Sequence, residues 1–196
     1  MGGYYFPMFV DISTKRILVI GGGKIAARRV RTLLKFAEHI EVTAPEICDE
    51  MKDILKEEEK KEVPQAVWSS RKVLEEDLKD TSDFLNGADI VLTATDDREL
   101  NQKIVSACRM RKILVNTADD KSLCDFYFPA VTEKDGVVIG RIPVGKARRR
   151  CVRSGNIWRN IAEILRDYVV GIYNLETIEL FLFYQYNENN KTCWNL

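Results

Sequence analysis

The sequence is poor in the residues that build metal sites, disulfide frameworks and membrane spans. Its single histidine, His39, argues against a histidine-rich metal centre, and we predict no metal ligands. No apolar run approaches the roughly 20 residues of a transmembrane helix, so we expect no membrane partner. The cysteines show no CxxC spacing, which is typical of reduced thiols in a cytoplasmic protein. They are Cys48, Cys108, Cys124, Cys151 and Cys193.

The chain also lacks an excess of charge of either sign, with 30 basic and 30 acidic residues among 196. This balance provides no general attraction to nucleic acid, which is therefore not expected as a partner. The first residues, MGGYYFPMFVDIS, have neither the basic stretch nor the small-residue cleavage site of a secretion signal. We expect Tyr4 to Asp11 to pack as an extended segment. The length allows one or two domains with a sizeable core.

One stretch, KRILVIGGGKIAARRVRTLL, joins a short apolar run to an amphipathic pattern through three glycines. Arg16 to Ile20 is predicted to form a strand. Lys24 to Leu34 is predicted to form a helix, because apolar side chains recur at helical spacing. The residues able to share one face of this helix are Ile25, Val30, Leu33 and Leu34.

The glycines between these elements fit the fingerprint G-x-G-x-x-G/A with Gly21, Gly23 and Ala26. Glycine has no Cβ to keep a ligand away, and the first turn of a helix has unpaired N–H groups and a positive dipole end. A pyrophosphate can therefore bind there. The alternative is a tight strand–helix turn without a ligand. The strand before the turn and the helix after it favour a dinucleotide.

Further strands and helices alternate along the chain, which predicts an α/β fold with a Rossmann-type parallel sheet. The predicted strands are Ile40 to Ala44, Val63 to Ser69, Ala88 to Thr95 and Lys112 to Asn116. The predicted helices are Pro45 to Lys61, Leu74 to Leu85 and Arg98 to Arg109, the last capped by Asp96 or Asp97.

The tip of the second strand is where a dinucleotide fold meets the adenosine ribose, usually through an acidic residue. Glu41 has the expected spacing from the glycines but lies inside the strand, so we do not assign it this role. Ala44 and Pro45 occupy the tip. Glu46 is nearby, but it could equally begin the next helix.

The pattern changes after residue 115, where we place a domain boundary. Asp135-Gly136 predicts a hairpin turn between two short strands, one containing Val131 and the other spanning Val137 to Gly140. A helical region is predicted from about Ile157 to Tyr186, followed by a loose tail. The predicted organisation is a dinucleotide-binding domain over 1–115, a strand-rich segment over 116–145 and a helical region over 146–196.

Four motifs occur in order: GGGKIAARRVRTLL, IEVTAPE, TATDDRELNQKI and NTADDKSLCDFYFPA. Together they resemble the siroheme synthase N-terminal family, over about residues 4 to 140. That family comprises precorrin-2 dehydrogenases, some of which are also sirohydrochlorin ferrochelatases. The ATDD-x-x-x-N and N-x-x-D…F-x-x-P segments are more discriminating than the glycines.

The resemblance implies NAD-dependent oxidation of precorrin-2 to sirohydrochlorin by a homodimer, with the segment after residue 115 pairing the subunits. The family's catalytic aspartate corresponds to Asp119, although Asp120 is adjacent. From the residues alone, Asp119 could instead be a turn residue of a polar loop. The positions implied to bind NAD are Gly21, Gly22, Gly23, Lys24, Ile25, Ala44 and Pro45.

Neighbouring residues are assigned structural roles. Asn116 is expected to stabilise a strand end, and Cys124 to be a small buried residue. Asp96 and Asp97 are expected to cap a helix and to form a wall beside the cofactor.

The resemblance stops after Gly140, where the family has a serine-rich loop and this chain has IPVGKAR. We hypothesise a shifted reading frame, because codons for Val-Gly-Lys-Ala-Arg read one nucleotide earlier can encode Ser-Gly-Lys-Ser-Pro. The coding DNA tests this idea. The basic run that follows could be a solvated surface, a site for tetrapyrrole carboxylates or, least in keeping with the balanced charge, a phosphate contact.

Two other functions remain open from the sequence. One is a bifunctional dehydrogenase and ferrochelatase, since Asp119 could serve both reactions. The other is a non-catalytic module that binds NAD or a tetrapyrrole, which the altered segment after Gly140 would suit.

Overall fold

The computed structural model describes residues 6–134, 137–142, 184–185 and 193–194. The chain forms two compact units, one over Gly3–Ile142 and the other over Pro143–Leu196. Within the second unit the described part is a short antiparallel pairing of Tyr184–Gln185 with Cys193–Trp194. Tyr184 and Gln185 are therefore extended, which corrects the end of the predicted helix. The remainder of that prediction lies outside the described residues.

The first unit contains a five-stranded, fully parallel sheet. Its strands are β1 (Arg16–Ile20), β2 (His39–Thr43), β3 (Ala66–Ser69), β4 (Ile90–Thr93) and β5 (Leu114–Thr117). Their order across the sheet is β3-β2-β1-β4-β5. Short runs rich in Val, Ile and Leu suit strands that are buried on both faces. This confirms the predicted α/β class and its parallel sheet.

Three helices connect these strands: α1 (Lys24–Leu33), α2 (Asp49–Glu58) and α3 (Arg98–Met110). They cover both faces of the sheet. On one face, α1 and α2 pack over Ile17, Val19 and Leu92. On the other face, α3 packs over alternate residues of the same strands, such as Leu18 and Val91. Successive side chains of a strand point to opposite faces, so one strand supplies both cores.

Several boundaries differ from the sequence prediction. Ile25 is 52% exposed, because the buried face of α1 consists of Ala26, Ala27, Val30 and Leu33. The charged stretch from Leu74 to Leu85 forms only a 3-10 turn over Glu75–Leu78. Within the N-terminal segment expected to pack, Phe6, Met8, Phe9 and Val10 are exposed.

The predicted hairpin is present as β6 (Ala130–Lys134) and β7 (Val137–Arg141), which pair antiparallel. The two residues at its turn lie outside the described part. The hairpin belongs to the same compact unit as the parallel sheet. In the part of the chain that the structure describes, no helix is both long and apolar enough to cross a membrane.

Candidate functional site

The turn between β1 and α1 is held by close backbone packing. Gly21 has a φ of +123°, and a Cβ at this position would lie 2.4 Å from the carbonyl oxygen of Ala94. A Cβ on Gly22 would lie 2.0 Å from the carbonyl oxygen of Glu46. The first two glycines are therefore required by the fold itself, because they let the ends of three neighbouring strands approach one another.

Gly23 differs from the other two glycines. Its φ of −80° and ψ of −179° are ordinary extended values, open to any residue. A Cβ on Gly23 would meet no protein atom within 4 Å among the described residues. Neither backbone strain nor protein packing requires a glycine at this position. Its bare backbone faces open space, as the approach of a ligand phosphate would require.

The N-terminus of α1 suits an anion. Its first turn contains no acidic residue, and no side chain caps it. The other two helices begin differently, since α2 has Asp49 and Glu50 in its first turn and Asp97 caps α3. The positive dipole end of α1 is therefore not compensated by a carboxylate of its own, which favours binding of a pyrophosphate there.

A cavity of about 430 Å³ lies at the carboxyl edge of the sheet, where doubly wound folds bind their ligands. Five of the predicted cofactor residues line it together: Gly21, Gly22, Gly23, Ala44 and Pro45. Its other walls include Thr95, Asp96 and Asp97. The size, the glycine floor and the helix N-terminus fit the phosphate-bearing part of a dinucleotide.

Two of the predicted cofactor residues do not line this cavity. The side chain of Lys24 is exposed, and its Nζ lies 3.8 Å from a carboxylate oxygen of Glu50. The side chain of Ile25 is also exposed and faces away from the core. Both belong to the first turn of α1, so they would contribute backbone N–H groups rather than side chains.

The acidic residue at the tip of β2 is Glu46. It lines the cavity and does not begin the next helix, because α2 starts three residues later, at Asp49. Glu41 is engaged elsewhere, in a bidentate ion pair with Arg16 at 2.8 Å for each contact. Glu41 is therefore not available to a ribose. This agrees with its position inside the strand, for which it was not assigned as the ribose ligand.

Lys72 also lines the cavity and was not identified from the sequence. It follows β3, and the carboxyl ends of parallel strands meet at one edge of a sheet. That rule, applied to the third strand as well as to the first two, would have found it. Lys72 adds one positive residue to a lining that otherwise contains the acidic residues Glu46, Asp96 and Asp97.

The carboxylate of Asp119 lies in the loop after β5 and accepts a hydrogen bond from the hydroxyl of Thr117. Partial burial acts to raise the pKa of Asp119. Hydrogen bonds from Thr117 and Asn101, together with the positive charge of Arg98, outweigh this effect and lower its pKa below the ordinary value. Asp119 is therefore held as a carboxylate near neutral pH.

Asn101 connects Asp119 to the cavity. It is 1% exposed, and its Oδ1 accepts hydrogen bonds from the hydroxyls of Thr93 and Thr95. Thr95 belongs to the cavity wall. Asp119 is exposed and does not line the cavity itself, but its carboxylate lies close to this network, since Asn101 contributes to lowering its pKa. The sequence places Asn101 in the ATDD-x-x-x-N motif but does not reveal these contacts.

The neighbouring residues have structural contacts, although Cys124, expected to be buried, is only half-buried. Asp120 accepts hydrogen bonds from the backbone N–H and hydroxyl of Ser122, so it caps the 3-10 turn that follows. Asn116 is buried and donates to the carbonyl of Phe126 at 2.7 Å. The Cys124 thiol donates to the Thr117 carbonyl. Asp97 caps α3 by accepting a hydrogen bond from the N–H of Leu100.

Comparison with known proteins gives a consistent set of relatives. The family model described as "Putative NAD(P)-binding" matches residues 8–130. A siroheme synthase from Photorhabdus laumondii subsp. laumondii is 33% identical over 73% of this chain and 28% of its own length. A siroheme synthase from Buchnera aphidicola subsp. Acyrthosiphon pisum is 34% identical over 69% of this chain and 26% of its own length. The chain thus spans little more than a quarter of these relatives.

A solved structure of a precorrin-2 dehydrogenase, SirC, resembles the fold with a TM-score of 0.56. The two sequences are 19% identical, and the match covers 87% of this chain and 71% of the SirC chain. At this level of identity the likeness concerns the architecture.

The glycine turn gives a testable contrast between packing and ligand contact. We expect Gly22→Ala to destabilise the fold by about 1–3 kcal/mol, because its Cβ would overlap a carbonyl oxygen. We expect Gly23→Ala to leave the thermal unfolding temperature nearly unchanged but to raise the Kd for NAD about tenfold. Calorimetric unfolding and titration with NAD measure both effects. Unaltered NAD affinity in Gly23→Ala would contradict the assignment of the turn.

Proposed function

Because the chain belongs to the NAD(P)-binding, siroheme synthase N-terminal family, we propose that it oxidises precorrin-2 to sirohydrochlorin with NAD. The observation that carries this proposal is the position of the Asp119 carboxylate, which Thr117 holds by a hydrogen bond close to Asn101 and the Thr95 wall of the glycine-floored cavity. A dehydrogenase needs such an arrangement, because a hydride acceptor and a proton acceptor must reach one substrate.

The reaction removes one hydride and one proton from the macrocycle. The residues of the glycine turn would hold a nicotinamide cofactor, which would supply the hydride acceptor. Asp119 is the proposed acceptor of the proton. A carboxylate of low pKa is a weak base, but hydride loss makes the macrocycle more positive and its remaining proton more acidic. A permanently ionised carboxylate suits that step, and its charge stabilises the developing positive charge.

Glu46 supports NAD rather than NADP as the cofactor. A carboxylate at the tip of β2 can accept hydrogen bonds from the ribose hydroxyls and repels a 2′-phosphate. Lys72 acts in the opposite direction, since it would attract that phosphate. We assign the preference to Glu46 because it follows β2, the strand whose tip meets the ribose in this fold.

We also infer a cytoplasmic homodimer. Cys48, Cys108 and Cys124 are free thiols, as expected in a reducing compartment. The hairpin of β6 and β7 is the proposed pairing element between subunits, because its strands form a separate two-stranded sheet rather than an extension of the parallel one.

Asp119→Asn tests the catalytic assignment. We expect it to lower kcat for NADH formation from precorrin-2, followed at 340 nm, by about 10²–10⁴-fold, because the proton acceptor is lost. Asp120→Asn is the matched control, since asparagine preserves the turn cap and should retain nearly full activity. Equal losses in both variants would point to a loop defect. An active Asp119→Asn would overturn the assignment.

The pH dependence of kcat tests the hydrogen bond from Thr117. Asp119 acts as a carboxylate, so activity falls as the pH drops through its pKa, which lies below the ordinary value near 4. Thr117→Val removes a hydrogen bond that favours the charged form. We expect its pKa to rise and the acid limb to move to higher pH, while Thr117→Ser retains the original profile. Asn101 and Arg98 still act on Asp119 in both variants. If the acid limb of the pH dependence of kcat is the same in Thr117→Val as in wild type, this role of Thr117 is refuted.

Glu46→Gln tests the cofactor preference. We expect wild type to use NAD in preference to NADP, and the substitution to reduce the ratio of their kcat/KM values roughly two- to fivefold. This corresponds to about 0.5–1 kcal/mol of repulsion at an exposed site. Glu50→Gln, on the neighbouring helix, is the control and should leave the ratio unchanged. A ratio that Glu46→Gln does not alter would assign the preference to other groups.

A further inference from the structure

Arg29 in α1 is half-buried, and its guanidinium is only partly satisfied by hydrogen bonds. Its Nη2 donates to Oδ1 of Asn116 at 2.6 Å, and its guanidinium carbon lies 5.6 Å from the ring centroid of Phe128. Its Nη1 is buried and has no hydrogen-bond partner among the described residues. A buried donor left unpaired costs about 1–3 kcal/mol, and more when it is charged. An acceptor is therefore missing from this position.

No carboxylate in the described part of the chain forms an ion pair with Arg29, although arginine stays protonated in proteins. Burial lowers the pKa of Arg29, which reflects the cost of holding its charge there. The titratable group that acts on it is the Cys124 thiol. Burial raises the pKa of that thiol above its ordinary value, so it is neutral near pH 7 and supplies no counter-charge.

The position of Arg29 separates it from the phosphate site. It lies six residues beyond Gly23, about 9 Å along the helix, and neither Arg29 nor its partner Asn116 lines the cavity at the glycine turn. Its partner Asn116 instead belongs to β5 and precedes Asp119 by three residues, so their Cα atoms are at most about 11 Å apart. An anion on Arg29 would therefore lie beside the catalytic loop, within reach of a substrate macrocycle.

We propose that Arg29 binds a carboxylate group of the tetrapyrrole through its unpaired Nη1 edge. This rests on the proposed function. Asn116 and the ring of Phe128 hold the guanidinium plane, and a planar guanidinium is matched to a carboxylate by paired hydrogen bonds. Because Nη1 is covered in the free chain, binding requires the guanidinium or the groups over it to shift. The substrate then supplies the counter-charge that the described residues do not.

The competing possibility is an acidic side chain elsewhere in this chain or in a second copy. The two possibilities predict opposite effects on stability. If the ligand supplies the anion, removal of the charge relieves an unpaired buried cation, and the free protein becomes as stable as wild type or more stable. If a protein carboxylate supplies it, removal breaks an ion pair, and the unfolding temperature or the oligomeric state falls.

Titration with uroporphyrin, a polycarboxylate porphyrin, tests the proposal on the full-length chain by fluorescence quenching. We expect Arg29→Gln to raise the Kd for uroporphyrin about tenfold or more and to leave the Kd for NAD unchanged. Arg29→Lys should recover part of the affinity, because lysine restores the positive charge but not the planar guanidinium that forms paired hydrogen bonds. Arg28→Gln, at the exposed neighbouring position, is the matched control and should bind as wild type does. Coproporphyrin, which has fewer carboxylates, should bind more weakly and respond less.

The outcomes separate this inference from the proposed function. If wild type oxidises precorrin-2 and Arg29→Gln leaves both the porphyrin Kd and the KM unchanged, the inference is wrong and the function stands. If wild type forms no NADH from precorrin-2 while its porphyrin affinity depends on Arg29, the function is wrong and the carboxylate site stands. A lower unfolding temperature or dissociation of Arg29→Gln would overturn the inference in favour of a protein counter-ion.

Discussion

The architecture of the site depends on the contact between the glycine turn and the ends of the neighbouring strands. Gly21 fits under the carbonyl of Ala94, beyond β4, and Gly22 fits under the carbonyl of Glu46, beyond β2. Backbone hydrogen bonds reinforce the approach, from Gly21 N to Thr43 O and from Cys48 N to Gly22 O. Any side chain at these two positions would separate the strand ends. The same contact places Glu46 at the cavity, since its backbone forms part of the wall.

The two faces of the sheet have different hydrogen-bond networks near its carboxyl edge. On the α3 side, Thr93, Thr95 and Asn101 form a satisfied network that orders the cavity wall and reaches Asp119. On the α1 side, Arg29 and Asn116 form a network that remains incomplete. Complete buried networks rigidify a structure, and incomplete ones are costly unless a ligand completes them. This contrast is the reason that we propose a positioning role for the first network and a recognition role for the second.

Most of the scaffold was predictable because its signals are local. The run Arg16 to Ile20 is apolar and β-branched, and β1 has those bounds. The sequence predicts Asp96 or Asp97 as the cap of the helix that begins at Arg98, and Asp97 is the cap. The prediction failed where tertiary packing outweighs a local pattern. Ile25 has helical spacing with Val30 but lies on the exposed side, because Ala26 and Ala27 allow α1 to approach the sheet closely. Leu74 to Leu85 lacks a sustained apolar face and forms only one short turn.

The sequence by itself determined the parallel α/β fold, the glycine turn and the loop that contains Asp119. These follow from chain-local periodicity, glycine stereochemistry and motif order, none of which needs distant contacts. Only the tertiary structure decided that, of the three glycines in the turn, Gly23 faces open space, and that Glu46 and not Glu41 reaches the cavity. It also decided that Arg29 has no carboxylate partner among the described residues. Each of these depends on atoms far apart in the chain, such as Glu41 against Arg16 and Arg29 against Asn116. No local pattern encodes which side chains meet when the strands assemble.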